Sequence, residues 1–597
     1  MKPRTIVEAL ERAAGRAEAG RGYHFHQEEG RAEPFFSYAG VERASARHGG
    51  ALQALGLKKG DRLAIILPEN DDFLFTFFGA LRAGIIPVPI YPPTGLGQVK
   101  GYLESTRHVV ARSGARCLVT TPAIQRLLGG VEASCPALER MLSIHEVQAA
   151  REELYPVRIA PEDIALLQFT SGSVARPKGV MISHASLMAN VEGINRQGLR
   201  VGPGDVAVSW LPLYHDMGLI GFVVAPLVER VPVILLPPLT FLRRPAVWLR
   251  AISRHRGTIS YGPNFAYALA VKRIRPEELS GVDLSCWRIA GCGAEPIRPD
   301  TIETFVRTFA PWGFSRGAFV PSYGMAEATL AVSFETRGQG ARYDDVHGPS
   351  LHEEGVAKSI SPEHPEAVRL VRCGQLIDGH KAAVFAADDP LCERPLPERA
   401  VGEIRLRGPS LMQGYFDEPE QTAEVMAGGW FHTGDLGYLT DGDLVVCGRA
   451  KEVLIVNGRN FYPHDIEWAA GRVAAVRKGN VVAFGSPGRD RERVVVVFET
   501  NLVTADERLR ARGEVRQAIQ EALGLTVDEV VAVKAGVLPK TSSGKLQRLL
   551  TRALHERNLL EKRDGVRALD RLDLARELLR SQLAFLVSRF ARPDKPV

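Results

Sequence analysis

A run of hydroxyls, glycines and one lysine stands between two apolar stretches in QFTSGSVARPKGV, residues 168–180. Small residues let backbone N–H groups point inward at an anion, and a lysine adds positive charge. The ligand that suits this chemistry is a phosphate. The spacing is not that of a Walker A loop, because the lysine precedes the second glycine and no hydroxyl follows it. The stretch therefore predicts a different kind of phosphate-binding loop.

Six further stretches carry polar residues at intervals along the chain. Taken singly they are weak signals, because a lone Glu is usually a solvated surface residue and T-G-D is often only a turn. Their order and spacing carry more weight than any one of them. They are WLPLYHDMGLIG (210–221), GCGAEP (291–296), PSYGMAEATL (321–330), WFHTGDLGY (430–438), GRAKEVLIVNGRNFYPHDIE (448–467) and LPKTSSGKLQR (538–548).

The elements that must position these residues alternate between helix and strand over residues 36–239. Helical patterns in VERASARHGGALQAL and DDFLFTFFGALRAG alternate with β-rich runs in RLAIILP and IIPVPIY, and the rhythm returns in AVSWLPL, VPVILLPP and TISYGPN. Alternation of this kind predicts parallel strands covered by helices.

The pattern changes after residue 368. Between residues 368 and 446 β-rich pieces dominate (KAAVFAA, VGEIRLRG, GDLVVCG), which predicts a mostly antiparallel module, and a new β/α alternation follows through VVAFGSP, RVVVVFET and VVAVKAGVLP. We place a domain boundary at residues 449–451. After residue 545 the chain is charged and helical, ending in VRALDRLDLARELLRSQLAFLVSRF; this tail is either a packed helix or a docking segment for a partner protein.

Bulk composition bounds the function classes. At 597 residues the chain is too long to fold around a single hydrophobic core. Its composition, with 45% apolar and 24% charged residues, is typical of globular proteins. The net charge is only +6 and most cations are interleaved with acids, so we expect no nucleic-acid partner.

Targeting and redox signals are absent from the sequence. The first twenty residues are charged and lack the apolar core of a secretory signal. The most apolar stretch, GLIGFVVAPLVERVPVILLPP, is interrupted by charges and prolines, so we predict buried strands and turns there and not a transmembrane segment. Seven scattered cysteines without a C-x-x-C indicate neither zinc nor disulfides. We expect a cytoplasmic protein.

The series of motifs resembles the adenylate-forming, AMP-binding ligase superfamily over residues 36–552. Within it, AGIIPVPIYPP, the pair WLPLYHDMGLIG and YGMAEATLAVS, and GRNFYPHDIE are most similar to the fatty acyl-AMP ligases. The long segment at about residues 335–372 resembles the insertion that marks this subfamily and restrains its C-terminal domain; an ordinary loop extension is the alternative.

The resemblance implies an α/β fold in two domains. Residues 1–449 would form a large adenylation domain of several subdomains, two α/β layers and a β-rich module. Residues 450–597 would form a small, mobile α+β domain with a helical tail. Lys451 matches the hinge position between them.

The implied reaction is the ATP- and Mg²⁺-dependent conversion of a medium- or long-chain fatty acid to acyl-AMP. Transfer to the phosphopantetheine thiol of an acyl carrier protein, or of a carrier domain of a polyketide or peptide synthase, would follow. An acyl-CoA synthetase that uses free CoA is the alternative within the enzyme class. A non-catalytic acyl- or nucleotide-binding scaffold is the alternative outside it.

The resemblance also assigns the phosphate-binding residues. Thr170, Ser171, Gly172, Ser173 and Lys178 would hold the β- and γ-phosphates. The loop departs from the family pattern, which often has a second Thr and a Gly where this chain has Val and Ala at 174 and 175.

Catalytic roles would fall on three residues. Glu327 resembles the Mg²⁺-binding carboxylate, and Lys545 the lysine that reaches the α-phosphate and the attacking carboxylate. His215 resembles the aromatic-type gate between the nucleotide and acyl sites; an isolated histidine would otherwise be a core residue.

The remaining implied contacts are to adenine and ribose. They comprise an adenine wall (Gly293, Ala294, Glu295), a border to the adenine and α-phosphate (Tyr323, Gly324, Met325) and a ribose site (Asp435, Arg449). Phe222, Tyr261 and Phe265 are either the lining of an apolar acyl tunnel or plain core, and the chain length of the acid does not follow from them.

Overall fold

The computed structural model describes residues 2–16, 18–26, 33–93, 99–170, 177–387, 394–456, 459–487, 493–540 and 545–560. The strands are β1 (Gly22–Phe25), β2 (Phe35–Ser37), β3 (Arg62–Ile66), β4 (Ile86–Pro89), β5 (Cys117–Thr120), β6 (Arg140–Ser143), β7 (Ile164–Phe169), β8 (Gly179–Ser183), β9 (Ala207–Ser209), β10 (Val233–Leu235), β11 (Ile259–Gly262), β12 (Ile289–Cys292), β13 (Phe319–Gly324), β14 (Ala331–Phe334), β15 (Tyr343–His347), β16 (Ala367–Val371), β17 (Gln375–Leu376), β18 (Lys381–Phe385), β19 (Gly402–Arg407), β20 (Phe431–Thr440), β21 (Asp443–Arg449), β22 (Leu454–Val456), β23 (Arg459–Phe461), β24 (Val481–Ser486), β25 (Arg493–Thr500) and β26 (Glu529–Lys534).

Helices cover and connect these strands. They are α1 (Ile6–Ala14), α2 (Tyr38–Ala54), α3 (Asn70–Arg82), α4 (Val99–Ser113), α5 (Pro122–Leu127), α6 (Val131–Ser134), α7 (Ile144–Ala149), α8 (His184–Glu192), α9 (Asp216–Leu219), α10 (Ala225–Glu229), α11 (Pro238–Arg243), α12 (Ala246–Arg254), α13 (Asn264–Arg273), α14 (Pro299–Phe309), α15 (Pro419–Val425), α16 (Pro463–Gly471), α17 (Ala505–Leu523) and α18 (Arg548–Glu556). Within these ranges, no helix combines the length and the apolar character that a membrane span requires.

Two α/β sheets form most of the molecule, as the sequence pattern predicts. The larger has nine strands in the order β17-β14-β13-β12-β11-β9-β10-β1-β2, and its strands from β13 to β1 pair in parallel. The other, β4-β3-β5-β6, is parallel throughout. Parallel sheets bury both faces, which matches the apolar runs of their strands.

A four-stranded antiparallel sheet, β18-β19-β20-β21, follows where a β-rich module is predicted. Beyond residue 450 the β22–β23 hairpin, the β24-β25-β26 sheet and helices α16 to α18 form an α+β unit. Two apolar cores of this unit draw only on residues from Leu454 to Leu560, while a further buried cluster packs Tyr462 of this unit against Val346, Leu351 and Tyr438 of the main body. The two cores that belong to the unit alone support the boundary at residues 449–451, which stays a prediction. The helical tail beyond residue 560 lies outside the described residues.

One local prediction is wrong. The first half of GLIGFVVAPLVERVPVILLPP is helical, with α9, a π-helical turn at Ile220–Val224 and α10 in succession, and only β10 is a strand. A helix that is apolar on all sides is buried on all sides. Its residues therefore lack the one-sided pattern that separates helix from strand in a sequence.

Candidate active site

A single cleft of about 4100 Å³ runs between the main body and the C-terminal unit. The predicted site residues that the structure describes all line it. They are Thr170, Lys178, His215, Gly293, Ala294, Glu295, Tyr323, Gly324, Met325, Glu327, Asp435, Arg449, Lys451 and Lys545. Three predicted residues, Ser171, Gly172 and Ser173, lie outside the described residues. The structure thus brings together side chains that are up to 375 positions apart in the chain.

The phosphate-binding stretch joins β7 to β8, which pair antiparallel. Thr170 and Lys178 lie opposite each other at the end of this hairpin, where the Thr170 N–H donates to the Lys178 carbonyl oxygen at 3.0 Å. The Ser183 side chain ends β8 by accepting the Ser186 N–H at 3.0 Å, which starts α8. The two strands are therefore fixed in place, and Thr170 and Lys178 at their ends line the cleft.

Lys178 and Glu327 meet at Tyr415. The Lys178 ammonium lies 4.6 Å from the centre of the Tyr415 ring, and the Tyr415 hydroxyl donates to Glu327 Oε1 at 3.0 Å. Burial raises the pKa of Glu327, and the hydrogen bond from Tyr415 opposes that shift. A half-buried carboxylate that shares Tyr415 with a lysine forms a place where a metal–phosphate pair would recover the lost hydration.

The donor set fits Mg²⁺ bound through substrate. Among the described residues, no group of three or more His, Cys, Asp or Glu side chains is placed to hold a metal ion. Mg²⁺ commonly uses one or two carboxylates and completes its shell with phosphate oxygens and water. Glu327 can supply such a carboxylate, with the remaining ligands from a triphosphate and solvent.

The predicted adenine wall follows β12 closely. A Cβ atom at Gly293 would lie 2.9 Å from the Ser322 carbonyl oxygen, so glycine allows the close approach of β13. Ala294 adopts the left-handed backbone region with φ of 68°, a strained conformation for a residue with a side chain. Glu295 Oε1 accepts the Phe265 N–H at 2.6 Å, and burial raises the pKa of Glu295.

The opposite border is the end of β13. A Cβ atom at Gly324 would lie 1.9 Å from the Leu330 carbonyl oxygen, so only glycine fits where β14 folds back. The register between β13 and β14 shifts at Tyr323 and Gly324, which turns the next residue, Met325, into the cleft.

Asp435 lies at the centre of a buried hydrogen-bond network. It accepts the Tyr323 hydroxyl at Oδ2 (2.6 Å) and the Arg449 Nε–H at Oδ1 (3.2 Å). Asp435 and Arg449 face each other across β20 and β21, so the strand register itself sets this pair. Burial raises the pKa of Asp435, and Arg449 and the Tyr323 hydroxyl oppose the shift.

Lys545 approaches the cleft from the C-terminal unit. Burial lowers the pKa of Lys545, while Glu295 and Asp216 raise it and partly offset burial. His215 Nδ1 lies 2.6 Å from Asp216 Oδ1. Burial alone would raise the pKa of Asp216, but His215 and Lys545 bring it below its ordinary value. Two carboxylates of the main body therefore favour the protonated form of the lysine against the effect of burial.

Sequence reasoning missed Asp216 and Tyr415. Asp216 belongs to the motif YHDMG, which the sequence analysis includes. Its carboxylate next to His215 could therefore have been predicted as a site residue. Tyr415 has no such signal, because its partner Glu327 is 88 positions away.

The predicted hinge residue, Lys451, lies in a single 3-10 turn between β21 and β22. Glu452 of the same turn pairs with Arg548, which also donates to Glu467 Oε1 at 2.8 Å. The short turn is the covalent link between the two units of the cleft.

The three aromatic residues of the acyl-site prediction also line the cleft. Phe222 and Tyr261 are buried with ring centroids 6.4 Å apart, and Phe265 lies on α13. They are thus both core residues and cleft wall, so the choice between tunnel and core stays open.

The segment predicted as an insertion folds as the β15–β16 pair with a π-helical turn at Ser350–Glu354. This turn contacts the C-terminal unit directly. Glu353 Oε1 lies 3.0 Å from Arg459 Nε, and His352 Nδ1 lies 2.9 Å from the Asn460 carbonyl oxygen. The segment therefore ties the main body to the β22–β23 hairpin.

Comparison with known proteins is consistent with this geometry. A family model described as AMP-binding enzyme matches residues 22–416. A Caulobacter vibrioides protein with the provisional name of acyl-CoA synthetase is 39% identical over 549 residues, covering 91% of this chain and 94% of that protein. The medium-chain-fatty-acid–acyl-carrier-protein ligase JamA of Moorena producens is 33% identical, with coverage of 91% and 94%.

A solved structure from work on fatty acyl-adenylate ligases of E. coli and L. pneumophila aligns over 93% of this chain and 98% of that chain. Its TM-score is 0.87 at 34% sequence identity. The match over both lengths confirms the α/β fold expected from the motifs.

Proposed function

The chain belongs to the AMP-binding enzyme family, and from this premise we propose that it is a fatty acyl-AMP ligase that loads a carrier protein. The carboxylate oxygen of a medium- or long-chain fatty acid attacks the α-phosphorus of ATP. The bond from that phosphorus to the bridging oxygen breaks, and pyrophosphate leaves. The phosphopantetheine thiol of an acyl carrier protein or carrier domain then attacks the acyl carbon, AMP leaves, and a thioester forms.

The observation that carries the proposal is the convergence of Lys178, Glu327, Asp435 and Lys545 on one cleft. The reaction brings two anions together, so cations and oriented donors must offset their repulsion. The cleft holds the components that this reaction needs. They are two ammonium groups from different units, a carboxylate suited to a metal and a buried carboxylate suited to a ribose.

The proposed roles follow from position. Lys178, Thr170 and the predicted loop residues hold the β- and γ-phosphates that depart as pyrophosphate. Bound at Glu327, Mg²⁺ would supply positive charge to the phosphate oxygens. Asp435 accepts hydrogen bonds from the two ribose hydroxyls and keeps the bond from Tyr323, which orients its carboxylate.

The proposed role of Lys545 is to stabilise charge that develops during attack. Its ammonium lies on the same cleft as His215 and Glu295, where an acyl carboxylate and α-phosphate would meet. Positive charge that is aimed at the transition state lowers the barrier more than it tightens substrate binding. The observed arrangement of the two units therefore suits adenylation, and transfer requires a rotation at Lys451.

The first experiment measures pyrophosphate exchange into ATP with fatty acids of several chain lengths. We expect exchange that depends on both acid and Mg²⁺. No exchange with any acid, alongside retained nucleotide binding, would favour the non-catalytic scaffold. Mass spectrometry of products from a mixed acid pool with carrier protein present then reports the preferred chain.

An acyl-CoA synthetase is the second candidate, because the Caulobacter relative carries that provisional name. Purified protein with ATP, fatty acid and either CoA or a phosphopantetheinylated carrier separates the two. Rapid acyl-CoA formation by the unaltered protein would replace the carrier-protein assignment.

The insertion contact offers a matched pair of variants for this question. His352→Ala with Glu353→Ala removes the tie to the β22–β23 hairpin and should raise CoA use several-fold if the segment restrains the C-terminal unit. Glu354→Ala is the control, because Glu354 pairs with Lys358 inside the segment. Equal CoA use in both would contradict the restraint.

We also propose a cytoplasmic location, where ATP and carrier proteins are available to this reaction.

A further inference from the structure

The segment of residues 231–276 has an unusual charge distribution. It contains eight cations and no Asp or Glu, whereas the whole chain of 597 residues has a net charge of only +6. The cations are Arg243, Arg244, Arg250, Arg254, Arg256, Lys272, Arg273 and Arg275. A concentration of one sign of charge indicates an anionic partner when the fold leaves it uncompensated.

The fold compensates part of this charge, at Arg254, Arg256 and Arg275. Arg254 pairs with Glu33 at 3.2 Å, and Arg256 pairs with Asp283 at 2.9 Å. These carboxylates come from other parts of the chain, so the positive charge near the end of α12 is neutralised locally.

The positive charge where α11 meets α13 is not compensated in this way. Arg243, Lys272 and Arg273 are exposed, and within the described ranges none of the three has a carboxylate within ion-pair distance. Arg273 Nη1 donates to the Leu242 carbonyl oxygen at 3.1 Å, which joins α13 to α11. The cations are therefore gathered on one surface formed by the two helices.

Exposed leucines lie on the same surface. Leu239 is 46% exposed and Leu242 is 37% exposed, one helical turn apart on α11. The helix is firmly placed, because Phe241 is fully buried and stacks on Trp210 with ring centroids 3.9 Å apart. An anchored helix that turns leucines outward beside uncompensated cations has the composition of a membrane-interfacial surface.

This surface adjoins the cleft. Phe265 and Leu269 of α13 line the cleft wall, and Lys272 and Arg273, the last residues of the same helix, line its rim. A molecule that enters at this rim passes along an apolar helix face toward the site.

We propose that the α11–α13 surface, defined by Leu239, Leu242, Arg243, Lys272 and Arg273, docks the protein on anionic lipid bilayers. Leucine side chains enter the headgroup region while the cations neutralise lipid phosphates. A long-chain fatty acid partitions into such a bilayer, so docking places the cleft rim at the substrate's source. This delivery role rests on the proposed function, whereas docking itself does not.

The test is cosedimentation of the full chain with vesicles of phosphatidylcholine containing phosphatidylglycerol, and with phosphatidylcholine alone. We expect binding to the anionic vesicles only, weakened by added salt. Leu242→Ser with Arg243→Glu should weaken it about tenfold or more, because each cation near the surface contributes about fivefold and the reversal counts twice. Lys272→Glu is an independent second variant with the same expected direction.

The matched control is Leu509→Ser with Arg510→Glu on α17. Leu509 is 66% exposed and also precedes an exposed arginine, but acidic residues stand nearby in that helix. The control should bind anionic vesicles as the unaltered chain does. Equal loss in both pairs, equal binding to neutral vesicles, or no binding to either would overturn the proposal.

Two further measurements separate docking from catalysis and from protein recognition. Adenylation of a water-soluble short-chain acid should be the same in the Leu242→Ser/Arg243→Glu variant and the unaltered chain, while use of a long-chain acid presented in anionic vesicles should fall. Absence of pyrophosphate exchange with intact vesicle binding would contradict the proposed function and leave docking standing. Unchanged vesicle binding with a raised KM for carrier protein would assign the surface to a protein partner and overturn the lipid proposal.

Discussion

The main body and the C-terminal unit contribute to the cleft in different ways. In the main body, Asp435 on β20 accepts hydrogen bonds from Arg449 on the neighbouring strand β21 and from Tyr323 on β13 of the larger sheet. Lys545 instead belongs to the C-terminal unit, which has two apolar cores of its own. Burial lowers the pKa of Lys545, and Glu295 and Asp216 of the main body oppose that shift.

The difference indicates a division between binding and catalysis. Groups that are fixed within one core are suited to recognise a nucleotide, because little order is lost when it binds. A cation on a separate unit can be present for adenylation and absent for transfer. The polar contacts that would break in that movement include Trp468 Nε1 to Asp300 at 3.2 Å and Arg298 to the His464 carbonyl oxygen at 3.3 Å. They also include the two contacts between the Ser350–Glu354 turn and the β22–β23 hairpin.

The largest expected effect comes from Lys545→Ala. We expect adenylation to slow by roughly 10²–10³-fold, the cost of removing one preorganised charge stabiliser, with little change in ATP affinity. Fatty-acid-dependent pyrophosphate exchange and nucleotide titration measure the two quantities. Lys540→Ala, a lysine on the rim of the same cleft, is the control and should exchange normally. A comparable loss in both variants, or weakened ATP binding with an unchanged rate, would contradict the assignment of Lys545 to catalysis.

Asp435→Asn should weaken ATP binding more than it slows the reaction. A hydrogen bond to a charged group contributes about 1.5–3 kcal/mol, so ATP affinity should fall by roughly 10–100-fold. The maximal adenylation rate should change less than the affinity does. Titration calorimetry with ATP and steady-state exchange together report this, and a pure rate effect at normal affinity would contradict the role.

Tyr323→Phe tests the same network with a smaller change. Loss of the 2.6 Å hydrogen bond to Asp435 removes about 0.5–1.5 kcal/mol, so the KM for ATP should rise by about 2–12-fold. Together with Asp435→Asn this variant should give a less than additive loss, because both changes affect one network. Fully additive losses would mean that the two residues act independently.

The smallest effect is a shift in pH dependence from Asp216→Asn. Lys545 must be protonated to stabilise the transition state, so activity falls as pH rises through its lowered pKa. Asp216 raises that pKa, and its loss should move the alkaline limb to lower pH, by about one unit or less for one partly screened charge. The pH profile of exchange measures this, and a shift to higher pH would contradict the assignment.

Much of the fold could be predicted from the sequence. The helix in VERASARHGGALQAL occurs where its periodicity indicates, because burial of one helix face leaves a periodic trace. The strands in RLAIILP and RVVVVFET occur where short β-branched apolar runs indicate them, since these strands are buried on both faces. The helical stretch at Asp216–Glu229 could not be distinguished from strand, since burial on all sides erases that trace. The aromatic residues at the acyl site could not be assigned to tunnel or core, because apolar side chains suit both places equally.

By itself the sequence determined the family, the α/β class and the polar residues that a nucleotide site needs, because these depend on residue type and local spacing. Only the tertiary structure decided which of them meet. Tyr415 is 88 positions from Glu327, and Asp435 is 112 positions from Tyr323, so strand register and sheet order set these contacts. That Lys545 lines the same cleft as Asp216 and Glu295 depends further on how the two units pack, which no local pattern encodes.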